Sequence, residues 1–587
     1  MAIKHRPRLG EGIILKEPKS LDNEVKHELV ENNSYEYNQE TEEVKIEGDE
    51  KVKRNKYETK SYYSDGQNLY VKSSDKPVNI KLGRHVWAKE NHYNIDDKTE
   101  KILLEFMTVR KMETELLNRH DCLVERNLMK FQNKGVDIVK SNGRHVVECI
   151  RECEDSIIKR YIHSKLGFME YEGKTIYKLY KAIGLNSTYV GTYDVKPKGS
   201  YDEYIKMIKN HVVGNVELEF ALVSGLSSTL LGHIGENLGL DSIIIHLVGN
   251  STTGKSTALK LAISCFGYPE VKHNSLCGTY NGTNNALIKK LCGLNGVPYA
   301  FDEISMSDAS NFTKFIYSLA NGADKERLNK DSELMGKESW LTTILSNGEK
   351  SITRSSNKNA GVQVRVIEAE NFTWTKSSEH AEAINHVILN NYGHLAIKFT
   401  EYLLAQNKNE LIKNYKQEKV NLYDGLRKRN VYDDMSMRRC SKFAIIIQTA
   451  SIIEELLDIE LDIEGMVEMI VSIERESIRY RNFNKVVMDF IKQYVDRYRN
   501  KFDGKSKSNS QEILGKITEK EDYTELQMEQ LSFELMIKEG GYEDRNIVLK
   551  ELKKAGFLDC EKDRLTRSRK NSVGVDTEYI VIKLPKK

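Results

Sequence analysis

His246-Leu247-Val248-Gly249-Asn250-Ser251-Thr252-Thr253-Gly254-Lys255-Ser256-Thr257 is the stretch that decides how the rest of the chain is read. The apolar run Ser242-Ile243-Ile244-Ile245 precedes it and reads as a short buried parallel strand. Residues 257–265 follow with apolar side chains at helical spacing. Strand, Gly-x-x-x-x-Gly-Lys-Ser loop and helix, in that order, make a phosphate-binding loop. Its glycines let backbone N–H groups converge on anionic oxygens, and the helix N-terminus adds partial positive charge. Residues 249–257 are therefore expected to cradle a nucleoside triphosphate, with Lys255 on the β- and γ-phosphates and Ser256 as a Mg²⁺ ligand.

The second half of such a site is expected at Gly296-Val-Pro-Tyr-Ala-Phe-Asp302-Glu303, an apolar strand ending in two acids. Asp302 is placed to hold Mg²⁺ and Glu303 to deprotonate the attacking water. The next apolar strand, Trp340-Leu-Thr-Thr-Ile-Leu-Ser-Asn347-Gly-Glu349, offers Asn347 as a polar sensor between the two phosphate-site strands. An Asn-Gly turn is the plainer alternative there. A ring ATPase also needs a cation from its neighbour. Arg365, one strand beyond Asn347, is the first choice, with Arg354 in reserve. Arg438 and Arg439 open a later helix, where one is expected to sense the γ-phosphate; surface salt bridging is the rival reading.

The 587 residues imply several domains, since single cores stop growing near ~250–300 residues. Charged residues make up 30% with a net charge of only +2, so any nucleic-acid contact must be a local patch. No apolar segment follows the Met-Ala-Ile-Lys-His-Arg-Pro-Arg start, and no run approaches a membrane span of ~20 residues. Eight scattered cysteines fit reduced, cytoplasmic thiols. Residues 1–61 read as a polar flexible arm, 62–195 as a mixed α/β domain and 196–400 as the ATPase core. Residues 401–482 read as a helical lid, and 483–587 as a C-terminal domain.

Within the first domain, helices are expected over residues 116–132 and 146–161, and a hairpin turn near Glu172-Gly173. His145, Cys149 and Cys153 share a helical face, with His120 and Cys122 upstream. Zinc sites more usually pair Cys-x-x-Cys ligands, so these read as half-buried core side chains. Asp96-Asp97 sits in a turn-like stretch and offers no strand-borne pair for two-metal nucleotidyl transfer.

Basic residues recur just ahead of the sensor strand: Lys325, Arg327, Lys330 and Lys337. In a ring this insertion faces the pore, where such side chains grip phosphates. Its mixed charge is equally that of a solvated loop. Near the end, residues 541–558 read as a turn and recognition-like helix. A hairpin follows that carries Arg564, Arg567, Arg569 and Lys570. Helix then basic-tipped hairpin is a winged helix, with those four side chains near DNA phosphates; winged helices also bind proteins.

From about residue 167 to 399 the chain resembles P-loop ATPases long grouped only as a domain of unknown function on mobile elements. The shared residues are Gly-Asn-Ser-Thr-Thr-Gly-Lys-Ser-Thr-Ala-Leu, Phe-Asp-Glu-Ile, Ser-Leu-Ala-Asn-Gly, Leu-Ser-Asn-Gly-Glu and Val-Arg-Val-Ile. More closely, it is similar to the MCM-like replicative helicases of staphylococcal cassette chromosome elements. That resemblance implies an α/β multi-domain chain with an AAA+ core in a hexameric ring, DNA unwinding and self-loading at an element-borne origin. Lys255, Ser256, Asp302, Glu303, Asn347 and Arg365 inherit the Walker, sensor and finger roles. The family commonly has Thr where this chain has Asn347, and Asn serves the same role elsewhere in the superfamily. Single-stranded and forked DNA, further copies of the chain, and a primase, polymerase or single-strand-binding protein are the expected partners. The rival readings are an origin-binding initiator and a remodelling ATPase without unwinding of its own.

Overall fold

The computed structural model describes residues 57–72, 79–272, 274–303, 312–324, 338–355, 360–481, 483–502, 513–542, 544–570 and 574–586. The expected polar arm falls almost wholly outside the described residues, as do Lys325, Arg327, Lys330 and Lys337.

Strands Tyr62–Ser64 (β1), Asn68–Val71 (β2) and Ile80–Arg84 (β3) pair antiparallel. Val86–Asn94 (β4), Thr99–Met107 (β5) and Met112–Asn118 (β6) form a second antiparallel set, covered by helix Gly143–Glu154 (α1). Ile158–His163 (β7) then adds parallel to β4. The two expected helices are therefore shorter than their spacing implied. Leu116 and Leu117 pair against β5, and the second helix stops at Glu154. Sheet pairing overrides local periodicity at both places. On α1, Cys149 and Cys153 are buried, and the Nδ1 of His145 meets the Tyr62 hydroxyl at 3.1 Å, so this face is core rather than a ligand set.

Leu166–Tyr171 (β8) and Lys174–Lys178 (β9) make the expected hairpin. Glu172 and Gly173 both have positive φ, 50° and 77°, which a two-residue type I′ turn requires. Ser187–Tyr189 (β10) returns to pair with β7. Asp96, in the turn between β4 and β5, is buried against Lys178 of β9 and accepts the backbone N–H groups of Ser164 at 2.6 Å and Lys165 at 2.8 Å. Burial by itself would raise the Asp96 carboxyl. The Lys178 ammonium and the backbone donors outweigh it and hold the group below the usual range.

Helices Tyr201–Met207 (α2) and Val216–Ile234 (α3) lead into the central sheet; α3 is buried over nearly its whole length. The sheet's first strand is Ile243–Val248 (β11), buried at every position, followed by helix Lys255–Ser264 (α4). Cys277–Thr279 (β12), Asn284–Lys289 (α5), Leu294–Asn295 (β13) and Tyr299–Asp302 (β14) come next. Then follow Phe312–Asn321 (α6), Thr343–Gly348 (β15), Ile352–Ser355 (α7), Ala360–Arg365 (α8) and Val366–Glu370 (β16). The order across the sheet is β12-β14-β15-β11-β16, all parallel. The short β13 leaves this sheet and pairs with β8 instead. A Cβ on Gly167, whose φ is +93°, would stand 1.7 Å from the Asn295 carbonyl oxygen, so only glycine permits that approach.

Helices Ser378–Ile388 (α9), Leu395–Ala405 (α10), Lys408–Lys428 (α11), Ser436–Leu457 (α12) and Ile463–Arg481 (α13) complete the large body. One apolar core runs from Leu166 and Phe168 through β11 to Ile446 and Ile470, continuous across residues 195 and 400. A separate core belongs to the C-terminal segment. That segment contains Phe483–Arg497 (α14), Gly515–Glu519 (β17), Tyr523–Glu529 (β18), Gln530–Glu539 (α15), Arg545–Lys554 (α16), Arg567–Lys570 (β19) and Asp576–Pro585 (β20). Helix α16 precedes the β19–β20 hairpin, as expected, and the β17–β18 hairpin extends the sheet. No described helix is long and apolar enough to cross a membrane.

Removing one member of a buried ion pair strands the other charge, at a cost of about 3–5 kcal/mol. Asp96→Ala is therefore expected to lower the midpoint of denaturant unfolding, followed by fluorescence, while Asp97→Ala in the same turn leaves it nearly unchanged.

Candidate nucleotide site and an opposite cationic cavity

Parallel pairing brings the predicted residues to one edge. Leu247 stands opposite Asn347, Val248 opposite Gly348, and Phe301 opposite Ser346, so Gly249, Asp302 and Asn347 all leave the sheet at its C-terminal end. Between β11 and α4 the chain turns sharply, with φ of 72° at Thr252 and 84° at Gly254. A Cβ on Gly254 would lie 2.4 Å from the Thr375 hydroxyl, and the Trp374 N–H donates to the Thr253 carbonyl at 2.8 Å. The loop is thus braced by residues 374–375, a contact with no mark in the motif itself. Thr257, on the first turn of α4, accepts from Asn385 of α9.

The Lys255 ammonium lies in the loop's concavity, donating to the carbonyls of Gly249 at 2.8 Å and Asn250 at 2.6 Å. Burial depresses its pKa, and Glu349, Glu303 and Asp302 oppose the effect. Asn347 is the hub of the acidic side. Its Nδ2 donates to Asp302 Oδ1 at 2.7 Å and to the Ser256 hydroxyl at 3.2 Å, while its Oδ1 accepts the Glu303 N–H at 2.7 Å. Ser256 also donates to Asp302 Oδ1 at 3.3 Å. Glu303 has a φ of 58°, uncommon for a side-chain-bearing residue, and the Asn347 acceptor stabilises that turn. A serine hydroxyl and a carboxylate oxygen meeting beside a lysine form a hard-oxygen donor pair suited to Mg²⁺ on a phosphate. Beneath the site, buried His246 shares hydrogen bonds with Ser346 and the Lys350 carbonyl, and Tyr280 reaches the same serine at 2.7 Å. Glu349 accepts from Ser251 at 2.6 Å.

Arg365 stands elsewhere. It is the last residue of α8 rather than part of a strand, because helix continues to the point where β16 begins. Val366 pairs with Ile244, near the start of β11. Four residue steps separate that level from Val248, about 13 Å at the usual rise per strand residue. Arg365 therefore lies at the edge opposite its own loop. Its guanidinium stacks on Tyr317 at 4.3 Å and donates through Nη1 to the Gly361 carbonyl, while Nε is buried with no partner among the described residues. A cavity of about 110 Å³ opens beside it, lined by Asp241, Arg438 and Lys442 among others.

The arginine pair expected at the nucleotide divides. Arg438 is exposed and lines the cavity with Arg365. Arg439 is fully buried: its Nε donates to Glu474 at 2.6 Å, and Nη1 donates to the carbonyls of Gln363 and Val366 at 2.6 and 2.7 Å. The desolvation cost of a guanidinium is offset at Nε and Nη1, while Nη2 is buried with no partner among the described residues. The Arg354 side chain lies outside the described residues.

Arginines of the terminal hairpin are likewise engaged. Arg564 pairs with Glu578, Arg567 with Asp559, and Arg569 with both Glu525 and Asp559; Lys570 is exposed. Such pairs at a surface are worth at most about 1 kcal/mol, so Arg564, the most exposed, exchanges partners at little cost. Among the described residues, the cluster with metal-ligand spacing is Cys292, Asp324 and Glu338. The Lys289 ammonium already sits there, paired to Glu338 and 3.5 Å from Asp324, at the two ends of the basic insertion.

Residues 66–339 match the family described as a domain of unknown function, DUF927, and residues 483–587 match the Cch helix turn helix domain. No curated protein matches the chain. Among solved structures, the fold is similar to that of the SCCmec type IV Cch active helicase. The TM-score is 0.73 at 23% identity, covering 90% of this chain and 98% of that one. The likeness of the whole fold agrees with the resemblance that the motifs carry.

Lys442 supplies a pH test of the cavity. Burial and then Arg439 pull its ammonium down to about 7; Asp241 opposes, and Arg365 and Arg438 add to the fall. An unfolded lysine titrates near ~10.4, so between those values the unfolded chain holds a proton that the folded chain lacks, and stability rises with pH. The thermal midpoint of the wild type, relative to Lys442→Met, is expected to climb from pH 7 to pH 9. A constant difference would place Lys442 in an ordinary solvated setting.

Proposed function

We propose that the protein is a DNA helicase driven by ATP and Mg²⁺. In this reading it has an AAA+ core that works as an MCM-like homo-oligomeric ring, hexameric by resemblance, during replication of a mobile element. The observation that carries it is the separation of two half-sites. Lys255, Ser256, Asp302, Glu303 and Asn347 meet at one edge of the sheet. Arg365 and Arg438 meet at a cavity by the other. A side chain whose backbone stands level with Ile244, about 13 Å down β11 from Val248, does not reach its own loop, so it has work only at a neighbour's nucleotide. The matched helix turn helix domain and the helicase-like fold support DNA as the substrate.

Within one such composite site the roles divide by chemistry. Loop N–H groups and Lys255 bind and orient the phosphates. Ser256 and Asp302 would hold Mg²⁺. Bound there, the ion supplies electrostatic stabilisation of charge on the phosphoryl oxygens. The Glu303 carboxylate takes the proton of the attacking water, and Asn347 fixes the Asp302 carboxylate and the Glu303 backbone. Arg365 of a neighbouring copy contributes charge to the transferring phosphoryl group, a contribution worth ~10³–10⁵ in rate for such arginines.

Strand displacement on a forked duplex with ATP and Mg²⁺ tests the proposal, with Lys255→Ala alongside. Displacement by the wild type alone is the expected result. ATP turnover without displacement would move the reading to an initiator or remodeller. Arg365→Ala is expected to bind a fluorescent ATP analogue normally yet hydrolyse at least about 10³-fold more slowly. Mixing it with Glu303→Gln chains should restore part of the turnover.

A further inference from the structure

The carbonyls at the end of α8 are not left to water. Residues 363, 365 and 366 all direct backbone oxygens at α12, where Nη1 of Arg439 donates to the first and third, and Nζ of Lys442 donates to the Arg365 carbonyl at 2.7 Å. A helix C-terminus carries partial negative charge and unpaired carbonyls, and cations satisfy both. Arg439 is itself fixed from the far side. Arg439 is paired to Glu474 of α13, and Glu474 also accepts from Arg481 and the Ser436 hydroxyl; Arg481 continues to Asp433 at 2.8 Å. Every member of this chain except Asp433 is buried or nearly so. The expense of burying so much charge is out of proportion to capping a six-residue helix.

We propose that Lys442 and Arg439 are positioning residues for Arg365: α12 grips the backbone on both sides of it and thereby sets where its guanidinium projects into the cavity. This rests on the reading of Arg365 as a residue acting on a neighbour's nucleotide. Among the described residues, the Arg365 side chain makes a single hydrogen bond, back to Gly361 within the same helix, and stacks on Tyr317. Its side chain therefore follows its backbone, and its backbone follows α12. The device ties the helical region to the residue that completes the adjoining site, so a shift of α12 and α13 would move Arg365 with it. Lys442 also borders the cavity itself, so its amine fixes the Arg365 carbonyl while presenting a third nitrogen to any anion that enters.

Lys442→Met keeps the stem and removes the donor, and Lys442→Arg restores a donor. Arg439 is the poorer choice for substitution, because Glu474 would lose a buried partner. The expected result for Lys442→Met is unchanged affinity for a fluorescent ATP analogue, KM within about twofold and kcat lower by about 10- to 100-fold, the scale of an ångström's misplacement. Lys442→Arg should recover most of the rate. Mixed with Glu303→Gln chains, Lys442→Met should regain turnover, since its own loop pairs with an intact Arg365. A merely unstable chain would not be rescued. Normal kcat for Lys442→Met, alongside a silent but rescuable Arg365→Ala, would overturn the positioning role and leave the Arg365 reading standing. A silent Lys442→Met that mixing fails to rescue, where Arg365→Ala is rescued, would assign Lys442 to folding. Normal turnover by Arg365→Ala, or its failure to be rescued, would remove both readings together.

Discussion

A parallel sheet has two unlike edges, and nearly everything in this protein follows from that. All strand C-termini in the order β12-β14-β15-β11-β16 open on one side, where loops are free to carry polar groups and α4 begins with its positive end exposed. Chain order does the rest. Because β15 inserts between β11 and β14, Asn347 arrives between the phosphate loop and the Asp302-Glu303 pair. Its single carboxamide then satisfies a carboxylate, a hydroxyl and a strained backbone N–H at once. An aspartate here would repel Asp302, and a threonine could not span both sides.

The same geometry determines what the other edge can do. Arg365 enters where β16 starts, level with Ile244, because a parallel neighbour of β11 must begin at the end opposite the loop. Reach is the deciding quantity: an arginine side chain is shorter than the four-residue rise of β11 from Ile244 to Val248. Arg365 therefore stays apart from the loop that follows β11 in its own chain, whatever its rotamer.

The sequence made the first edge legible and the second only partly so. Gly254, Lys255, Ser256, Asp302 and Asn347 are spaced by rules that act within a strand and its following loop, and such rules survive in a linear chain. The turn at Glu172-Gly173 was readable for the same reason. What could not be read was who pairs with whom across the fold. Arg438 and Arg439 are adjacent and chemically identical, yet helical geometry turns one to the cavity and the other into the core against Glu474. Lys442 carries no motif at all. Arg567 and Arg569 read as free phosphate ligands until folding brings Asp559 and Glu525 beside them. Asp96 read as an idle turn residue, although Lys178, 82 positions later, closes on it. The period-based helices failed at Leu116 and Ile158 because a strand partner outweighed the local pattern.

Burial of Arg439, Glu474 and Arg481 is hard to explain as stability alone. Well-packed apolar side chains of similar volume serve a core as well or better, since each buried charge forfeits its hydration. What an apolar replacement cannot do is fix direction. Guanidinium donors lie in a plane at set angles, so a network of two arginines and a glutamate admits few arrangements, and a helix attached to it cannot slide by a fraction of a turn without breaking several bonds. Here the attached helix ends in Arg365. Specifying one orientation, as the role proposed for Arg365 at a neighbour's nucleotide requires, is a use for which buried charge has no apolar substitute.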